Sequence, residues 1–280
     1  MDDGCMPFQL GRVRCIALSD GSISYPLGHM FAGIPKGQVE EALRSHNLPV
    51  DFVTTPCTCL LIETGEHRVL VDLGADRLMP NAGQLLRSLA AAGIAPTQID
   101  TVVITHAHPA HVGGALDLEG GLIYTAARYF IGADEWAFWT SAAAYRKASE
   151  RHVAIARASL EPLRDHLTLL SEDSEVAPGV RVIAAPGHTP GHRVVSISSG
   201  RERLLYIGDA VMHVLHLEHP DWPSIYDTDP EQAQEIRRRF LSEAADEGAL
   251  VMGHHLSLCP SLGHVARIGA GWRWEPLVTV

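Results

Sequence analysis

Thr105-His106-Ala107-His108-Pro109-Ala110-His111 follows directly on the apolar run Thr101-Val102-Val103-Ile104. The apolar run predicts a short buried strand, so the histidines begin where that strand ends. A strand fixes the start of the loop that follows it, and three imidazoles within six residues are a concentrated set of metal ligands. These residues therefore predict a metal centre carried by a strand-end loop.

Further candidate ligands lie at the ends of other predicted strands. They are His188 in the turn 185–192, Asp209 after the run 204–207, and His255 after the run 249–252. Two imidazoles at His-x-His spacing can face one ion, His111 can face a second, and the two oxygens of Asp209 can bridge both. Such ligands accept zinc, manganese, iron or cobalt. We expect two divalent cations, with zinc as the first choice.

Composition bounds the class of protein. The 280 residues are 46% hydrophobic and 20% charged, which suits one domain over residues 1–280. The net charge of −11 disfavours nucleic acid as a partner. Sixteen histidines against 22 lysines and arginines are a further indication of metal binding.

Cysteine usage and the N-terminus predict a cytoplasmic location. The five cysteines are an odd number without a paired framework, which is typical of a reduced compartment. Cys57 and Cys59 lie two apart on a predicted strand, so we interpret them as core residues on one face and not as metal ligands. The first residues lack a signal-peptide pattern, and no apolar run is long enough to span a membrane.

The pattern of apolar residues predicts alternating strands and helices. A strand over 12–18 ends at a turn over 19–22, a hairpin covers 57–72, and a helix begins after a capping Asp229 and ends at Ala244. Residues 133–170 predict a helical insertion with aromatic residues at its start. We interpret this insertion as a lid or as the surface of a homodimer.

These motifs resemble the metallo-β-lactamase superfamily, whose signature is His-x-His-x-Asp-His followed by Gly-His, Gly-Asp and a last His. The resemblance extends from Leu18 to the C-terminal loop, and segments 129–139, 227–240 and 260–265 are most similar to lactonases and methyl-parathion-hydrolase-like enzymes. It implies an αββα sandwich, in which two mixed sheets pack face to face with helices outside.

The resemblance also implies a ligand set. The residues that would hold the first metal are His106, His108 and His188, those for the second are His111 and His255, and Asp209 would bridge. His254 is the alternative to His255, because the loop 253–263 matches the family pattern only with a one-residue ambiguity.

Ala110 departs from the family signature, which has aspartate at this position. The second metal would therefore lose an anionic ligand. A general acid or base typically contributes ~10² to 10⁴-fold to the rate, and we expect activity to fall by a similar factor. Three explanations stay open: an engineered inactive variant, a natural enzyme with one tight metal, or another group that fills the gap.

The reaction implied by the resemblance is attack of a metal-bound hydroxide on a lactone or related ester. Some lactonases of the family carry a tyrosine three residues after the bridging aspartate, where this chain has Met212. Phosphotriester hydrolysis is the alternative, since an aromatic pocket is available. The candidate substrate-contacting residues are His213, Trp136, Trp222 and Tyr226. Cleavage of β-lactams is disfavoured because no signal peptide is present.

Two further classes remain as alternatives. Relatives of the sulfur dioxygenase type use a single iron, which His106, His188 and Asp209 could hold; iron content and oxygen consumption would identify that activity. The other alternative is a metal-binding protein without catalysis. Failure of Ala110→Asp to restore hydrolysis of any ester would favour it.

Overall fold

Two seven-stranded sheets form the described part of the chain, residues 4–256 and 260–277 of a computed structural model. The first sheet holds β1 to β7 in chain order: Cys5–Leu10, Val13–Pro26, Phe52–Thr64, His67–Val71, Thr101–Val103, Arg128–Gly132 and Leu167–Leu170. The second holds β8 to β14: Ser174–Ala177, Val180–Ala184, Arg193–Ser199, Glu202–Tyr206, Leu250–Met252, Leu262–Ile268 and Gly271–Pro276. Both sheets are mixed, because β4 to β7 pair in parallel, as do β11 and β12, while their other pairs are antiparallel.

Nine α-helices connect the strands within the described residues. They are α1 to α9: Leu27–Met30, Lys36–Ser45, Leu85–Ala91, Pro109–Val112, Ala133–Thr140, Ala144–Lys147, Glu150–Leu160, Leu215–Glu218 and Pro230–Glu247. The Asp229 side chain accepts a hydrogen bond from the backbone N–H of Gln232 and so caps α9 as predicted. None of the helices described is long and apolar enough to cross a bilayer.

The core lies in three layers. Between the sheets, side chains of both pack into one cluster that includes Leu60, Val69, Val195 and Tyr206. A second cluster joins the outer face of the first sheet to α3, α5 and α7, and a third joins the outer face of the second sheet to α9. This layering confirms the αββα sandwich.

Two predicted boundaries are wrong. Strand β2 continues to Pro26, because the residues predicted as a turn form a β-bulge between Ser19 and Gly21. The side chain of Asp20 is buried there and accepts hydrogen bonds from the backbone N–H groups of Ala75 and Leu85. Residues 167–170 of the predicted helical insertion are strand β7, because this apolar run completes the parallel edge of the first sheet.

The cysteines on the described residues are all free, and Cys57 and Cys59 are buried on β3 as expected. Cys259, also counted in the sequence, lies outside the described residues.

Candidate metal centre

Three imidazole nitrogens converge between the loop that follows β5 and the loop that joins β9 to β10. His108 Nδ1 lies 3.1 Å from His106 Nε2 and 2.9 Å from His188 Nε2. Nitrogens held about 2.0 to 2.1 Å from a tetrahedral zinc are separated by roughly 3.3 Å. The oxygen Oδ2 of Asp209 lies 3.7 Å from His106 Nε2 and 3.5 Å from His188 Nε2. The four side chains are buried and form a donor set suited to a divalent cation.

A second donor set shares the same aspartate. His111 Nε2 lies 3.3 Å from Asp209 Oδ1, and His255 Nε2 lies 3.8 Å from Asp209 Oδ2. The structure thus brings together all six residues for which the sequence predicts metal ligation, as two clusters that meet at Asp209.

Unpaired buried atoms test whether these residues fit a cation. His111 Nε2 and Asp209 Oδ1 are buried and have no hydrogen-bond partner among the described residues. Burial disfavours charge on His111, yet Asp209 and Asp72 raise its pKa to about 10. Burial likewise opposes charge on Asp209, but His111 and His255 hold the pKa of that carboxyl well below its usual range. The site therefore favours a positive charge beside Asp209, as a bound cation would provide.

Asp72, at the end of β4, shapes the histidine loop. Its Oδ1 accepts a 2.8 Å hydrogen bond from the backbone N–H of Thr105, and its Oδ2 lies 2.7 Å from His111 Nδ1. The aspartate has a positive φ of 63° and is fully buried. Because Nδ1 of His111 faces Asp72, its Nε2 is directed at Asp209.

Two further contacts orient candidate ligands. His188 Nδ1 lies 2.9 Å from Asp227 Oδ1, which leaves His188 Nε2 for a cation. His192 Nε2 accepts a 3.1 Å hydrogen bond from the backbone N–H of Asp209. His192 therefore supports the backbone at Asp209.

The two last histidines point in different directions. His254 Nδ1 lies 3.1 Å from the Tyr206 hydroxyl and 3.9 Å from Asp72 Oδ2, whereas His255 belongs to the cluster with His111 and Asp209. His255 Nδ1 is 2.8 Å from the carbonyl oxygen of Pro56, so its Nε2 is the atom that faces the carboxylate. This geometry favours His255 over His254.

Position 110 lies beside the second cluster. The methyl group of Ala110 packs in a small apolar cluster with Ile23 and Cys57, and Tyr25 packs against the same cluster. Ala110 lines a cavity of about 50 Å³ next to His111 and Asp209. The departure from the signature thus places an apolar group where a ligand is expected.

The predicted substrate-contacting residues separate into two groups. Tyr226 lines the cavity beside Asp209, and His213 lines a neighbouring cavity of about 280 Å³ that also reaches His255. Trp136 packs against the core beside the Arg164 guanidinium, and Trp222 is buried with its ring stacked on His219 at 4.1 Å. Neither tryptophan lines the cavity beside Asp209, and a role of either ring in substrate binding stays a prediction.

Three functional candidates are not identified by the sequence pattern. Tyr25 lines the cavity with its hydroxyl 3.4 Å from His255 Nε2, and His152 of α7 lines the same cavity. Glu135 of α5 is fully buried and contacts both ligand loops. Tyr25 lies beyond the predicted end of its strand, and single residues on helices give no spacing signal.

Known proteins share this fold and part of this sequence. Residues 53–255 match the family model of the metallo-beta-lactamase superfamily. AidC, a dizinc quorum-quenching lactonase solved with a product, is 29% identical with a TM-score of 0.93, covering 99% of this chain and 98% of that one. The hydrolase AbOPH is 28% identical with a TM-score of 0.89 and the same coverage.

Curated relatives match a smaller region. A probable metallo-hydrolase of Mycobacterium bovis is 28% identical over 178 residues, 56% of this chain and 57% of that protein. The chain therefore spans little more than half the length of this relative. An N-acyl homoserine lactonase of a Bacillus species is 25% identical over 189 residues, 59% of this chain and 69% of that protein.

Proposed function

This chain belongs to the metallo-β-lactamase superfamily, and from that premise we propose that it is a binuclear metal-dependent hydrolase that opens lactones or related esters. The observation that carries the proposal is the pair of buried donor clusters that meet at Asp209. Similarity to the dizinc lactonase AidC over nearly the whole chain supports both the number of cations and the substrate class.

We assign the ligands as the two clusters suggest. His106, His108 and His188 would hold one cation, His111 and His255 would hold the other, and Asp209 would be a ligand shared by the two groups. Such cations supply a deprotonated water at neutral pH and polarise a carbonyl group. Zinc is our first choice, since tetrahedral coordination by imidazole and carboxylate is common for this ion.

The chain's own residues bind and orient the substrate. Tyr25 is partly buried, and desolvation raises the pKa of its hydroxyl well above the ordinary value, so the hydroxyl keeps its proton at neutral pH. It can donate a hydrogen bond to a substrate oxygen beside His255. His108, His152 and Tyr226 line both the small cavity at Asp209 and an adjoining cavity of about 310 Å³, which can receive the rest of the substrate.

The position of His152 also bears on the helical insertion. This residue lies on α7, and its ring centroid is 5.2 Å from that of His108 and 6.0 Å from that of Tyr226. These contacts support the interpretation of the insertion as a cover over the site.

Metal analysis with a substrate panel tests the proposal. The chain and its Ala110→Asp variant would be loaded with zinc, their metal content measured, and both assayed with N-acyl homoserine lactones and with phosphotriesters. We expect two zinc ions per chain and lactone opening by at least one of the two proteins. Activity restored only in A110D would identify Ala110 as a disabling residue.

Other outcomes would replace the proposal. Hydrolysis of phosphotriesters without lactones would establish the second candidate, which the tyrosines Tyr25 and Tyr226 at the cavity favour. A single iron with oxygen consumption would indicate an oxidoreductase. Tight metal binding without turnover of any substrate by either protein would indicate a metal-binding protein.

A further inference from the structure

A buried arginine lies behind the first donor set. Arg237 projects from α9, and its side chain is among the largest of those that are almost completely shielded from solvent. A buried guanidinium is costly unless a carboxylate compensates its charge and acceptors take its N–H groups. The partners of Arg237 therefore indicate why a cation is kept at this position.

Three backbone carbonyl groups hold the guanidinium in place. Its Nε donates a 2.9 Å hydrogen bond to the carbonyl oxygen of Ala210, the residue that follows the candidate bridging ligand Asp209. Its Nη1 donates to the carbonyl oxygens of Pro220 at 2.9 Å and Trp222 at 3.0 Å. These acceptors fix the plane of the guanidinium and leave Nη2 for a different partner.

The remaining nitrogen faces the carboxylate that orients His188. Arg237 Nη2 lies 3.9 Å from Asp227 Oδ2, and both side chains are buried. Burial lowers the pKa of Arg237, and the negative charge of Asp227 opposes that shift, so this carboxylate is the counter-charge of the guanidinium. The other oxygen of Asp227 lies 2.9 Å from His188 Nδ1. The three side chains therefore form a continuous row of contacts that ends at a candidate metal ligand.

The turn that carries His188 is held in place by its backbone. The Thr228 N–H donates a 2.9 Å hydrogen bond to the carbonyl oxygen of His188. At Gly187, an added Cβ would lie 2.3 Å from the backbone nitrogen of Ala233, so this turn packs directly on α9. Because the backbone is fixed on both sides, the freedom left to the His188 ring is rotation. The carboxylate at its Nδ1 restricts that rotation.

We propose that Arg237 is a positioning residue of the first donor set, which holds the Asp227 carboxylate against His188 so that His188 Nε2 is directed at the cation. The inference rests on the binuclear site proposed above. It extends that site to a residue on α9 that is not a ligand, and no covalent or redox step is involved. Lysine would be a poor substitute, because an ammonium group is a point charge whereas the planar guanidinium donates to several fixed acceptors at once.

A double-mutant cycle on zinc affinity tests this path. Arg237→Lys, Asp227→Asn and the double variant would be compared with the parent in competition with a chromogenic chelator. Outer partners of a metal ligand typically change affinity by about 10 to 100-fold, and we expect R237K to lower the affinity of one of the two zinc ions at least about 10-fold. In the D227N background, the same substitution should change that affinity by less than about 2-fold, since its effect is transmitted by the carboxylate.

Two controls separate a positioning role from a merely structural one. Arg239→Lys, the same substitution at an exposed position of α9, should leave both zinc affinities unchanged. Denaturant unfolding of the metal-free variants measures any loss of stability, which by itself would not depend on the carboxylate at position 227. In His255→Ala, which should retain only the first zinc, R237K should weaken the binding of the ion that remains.

A zinc titration of the parent, followed by ¹⁵N NMR of the arginine side chains, needs no substitution of Arg237 in the protein that is titrated. Coupling between two sites is reciprocal, so a side chain that affects zinc binding should also respond to it. We expect the Arg237 Nε signal to shift when zinc binds to the parent and to shift much less in D227N. This measurement decides the question if R237K does not fold.

Three results would overturn the proposal: parental zinc affinities in R237K, an equal loss of affinity with and without the Asp227 carboxylate, or an Arg237 signal that does not respond to zinc. The lactone assay on the same samples separates this inference from the proposed function. Lactone opening without coupling between the two substitutions removes only the positioning role. Coupling without hydrolysis of any ester removes only the proposed reaction.

Discussion

Glu135 Oε1 accepts a 2.8 Å hydrogen bond from the backbone N–H of Ala107, the residue between the first two histidines of the metal-binding motif. The other oxygen of the same carboxylate accepts hydrogen bonds from the Thr189 hydroxyl at 2.6 Å and the Gly191 N–H at 3.0 Å. Helix α5 thus joins the His106–His108 loop to the His188 loop. The spacing of the first donor set depends on this contact.

Replacing Glu135 by glutamine should destabilise the fold and lower the affinity of the first donor set for its cation. All the partners named above are donors, as is Trp139 Nε1 at 2.6 Å, so an amide NH₂ group would face another donor. Hydrogen bonds to a charged group contribute about 1.5 to 3 kcal/mol, and we expect a loss of that size in denaturant unfolding of the metal-free chain. Asp134→Asn, one residue earlier and exposed, should leave unfolding unchanged. Equal stability of E135Q and the parent would contradict a stabilising role of the Glu135 carboxylate between the two loops.

Asp227→Asn should lower metal affinity through His188. Asp227 Oδ1 fixes the His188 ring, and its Oδ2 accepts a 3.1 Å hydrogen bond from the Ser224 N–H. Loss of such an outer partner typically costs about 10 to 100-fold in metal affinity. Competition with a chromogenic chelator would measure the effect. Asp229→Asn is the control, because asparagine also caps a helix and Asp229 is exposed; equal affinities in both variants would contradict the assignment.

His255→Ala should remove the second metal, whereas His254→Ala should retain two. His255 Nε2 faces Asp209, while His254 Nδ1 faces Tyr206 and Asp72. Zinc stoichiometry of the two variants after dialysis against dilute zinc would decide between them. Retention of two metals in H255A with loss in H254A would reverse the ligand assignment.

Removal of the metals should lower the melting temperature of the chain. Buried His108 Nδ1 lies 3.1 Å from His106 Nε2 and 2.9 Å from His188 Nε2, an arrangement that a cation would stabilise. A ligand at 100-fold its Kd adds about 2.7 kcal/mol of stability. Thermal scans with chelator and with added zinc measure this change. Asp209→Ala should respond much less to zinc. A chelator-insensitive melting curve of the parent would argue against a resident metal.

The histidine motif and the recurring Gly-His and Gly-Asp turns are local features of the chain, and the fold class was predicted from the family resemblance that they carry. The cap of α9 and the hairpin of β3 and β4 were also predictable. The extension of β2 was not, because a bulge resembles a turn in sequence. Its consequence is that Tyr25 reaches the site, which local pattern alone does not reveal.

By itself, the sequence determined the sandwich, the six candidate ligands and the departure at Ala110. Only the tertiary structure decided which way the last histidines face, and which aromatic rings pack in the core or line the cavity. It also placed Cys57 in the same apolar cluster as Ala110. The physical reason is the range of the interactions. Strand and turn preferences act between neighbours in the chain, whereas these contacts join residues separated by tens to hundreds of positions, whose distances are fixed only when the two sheets pack together.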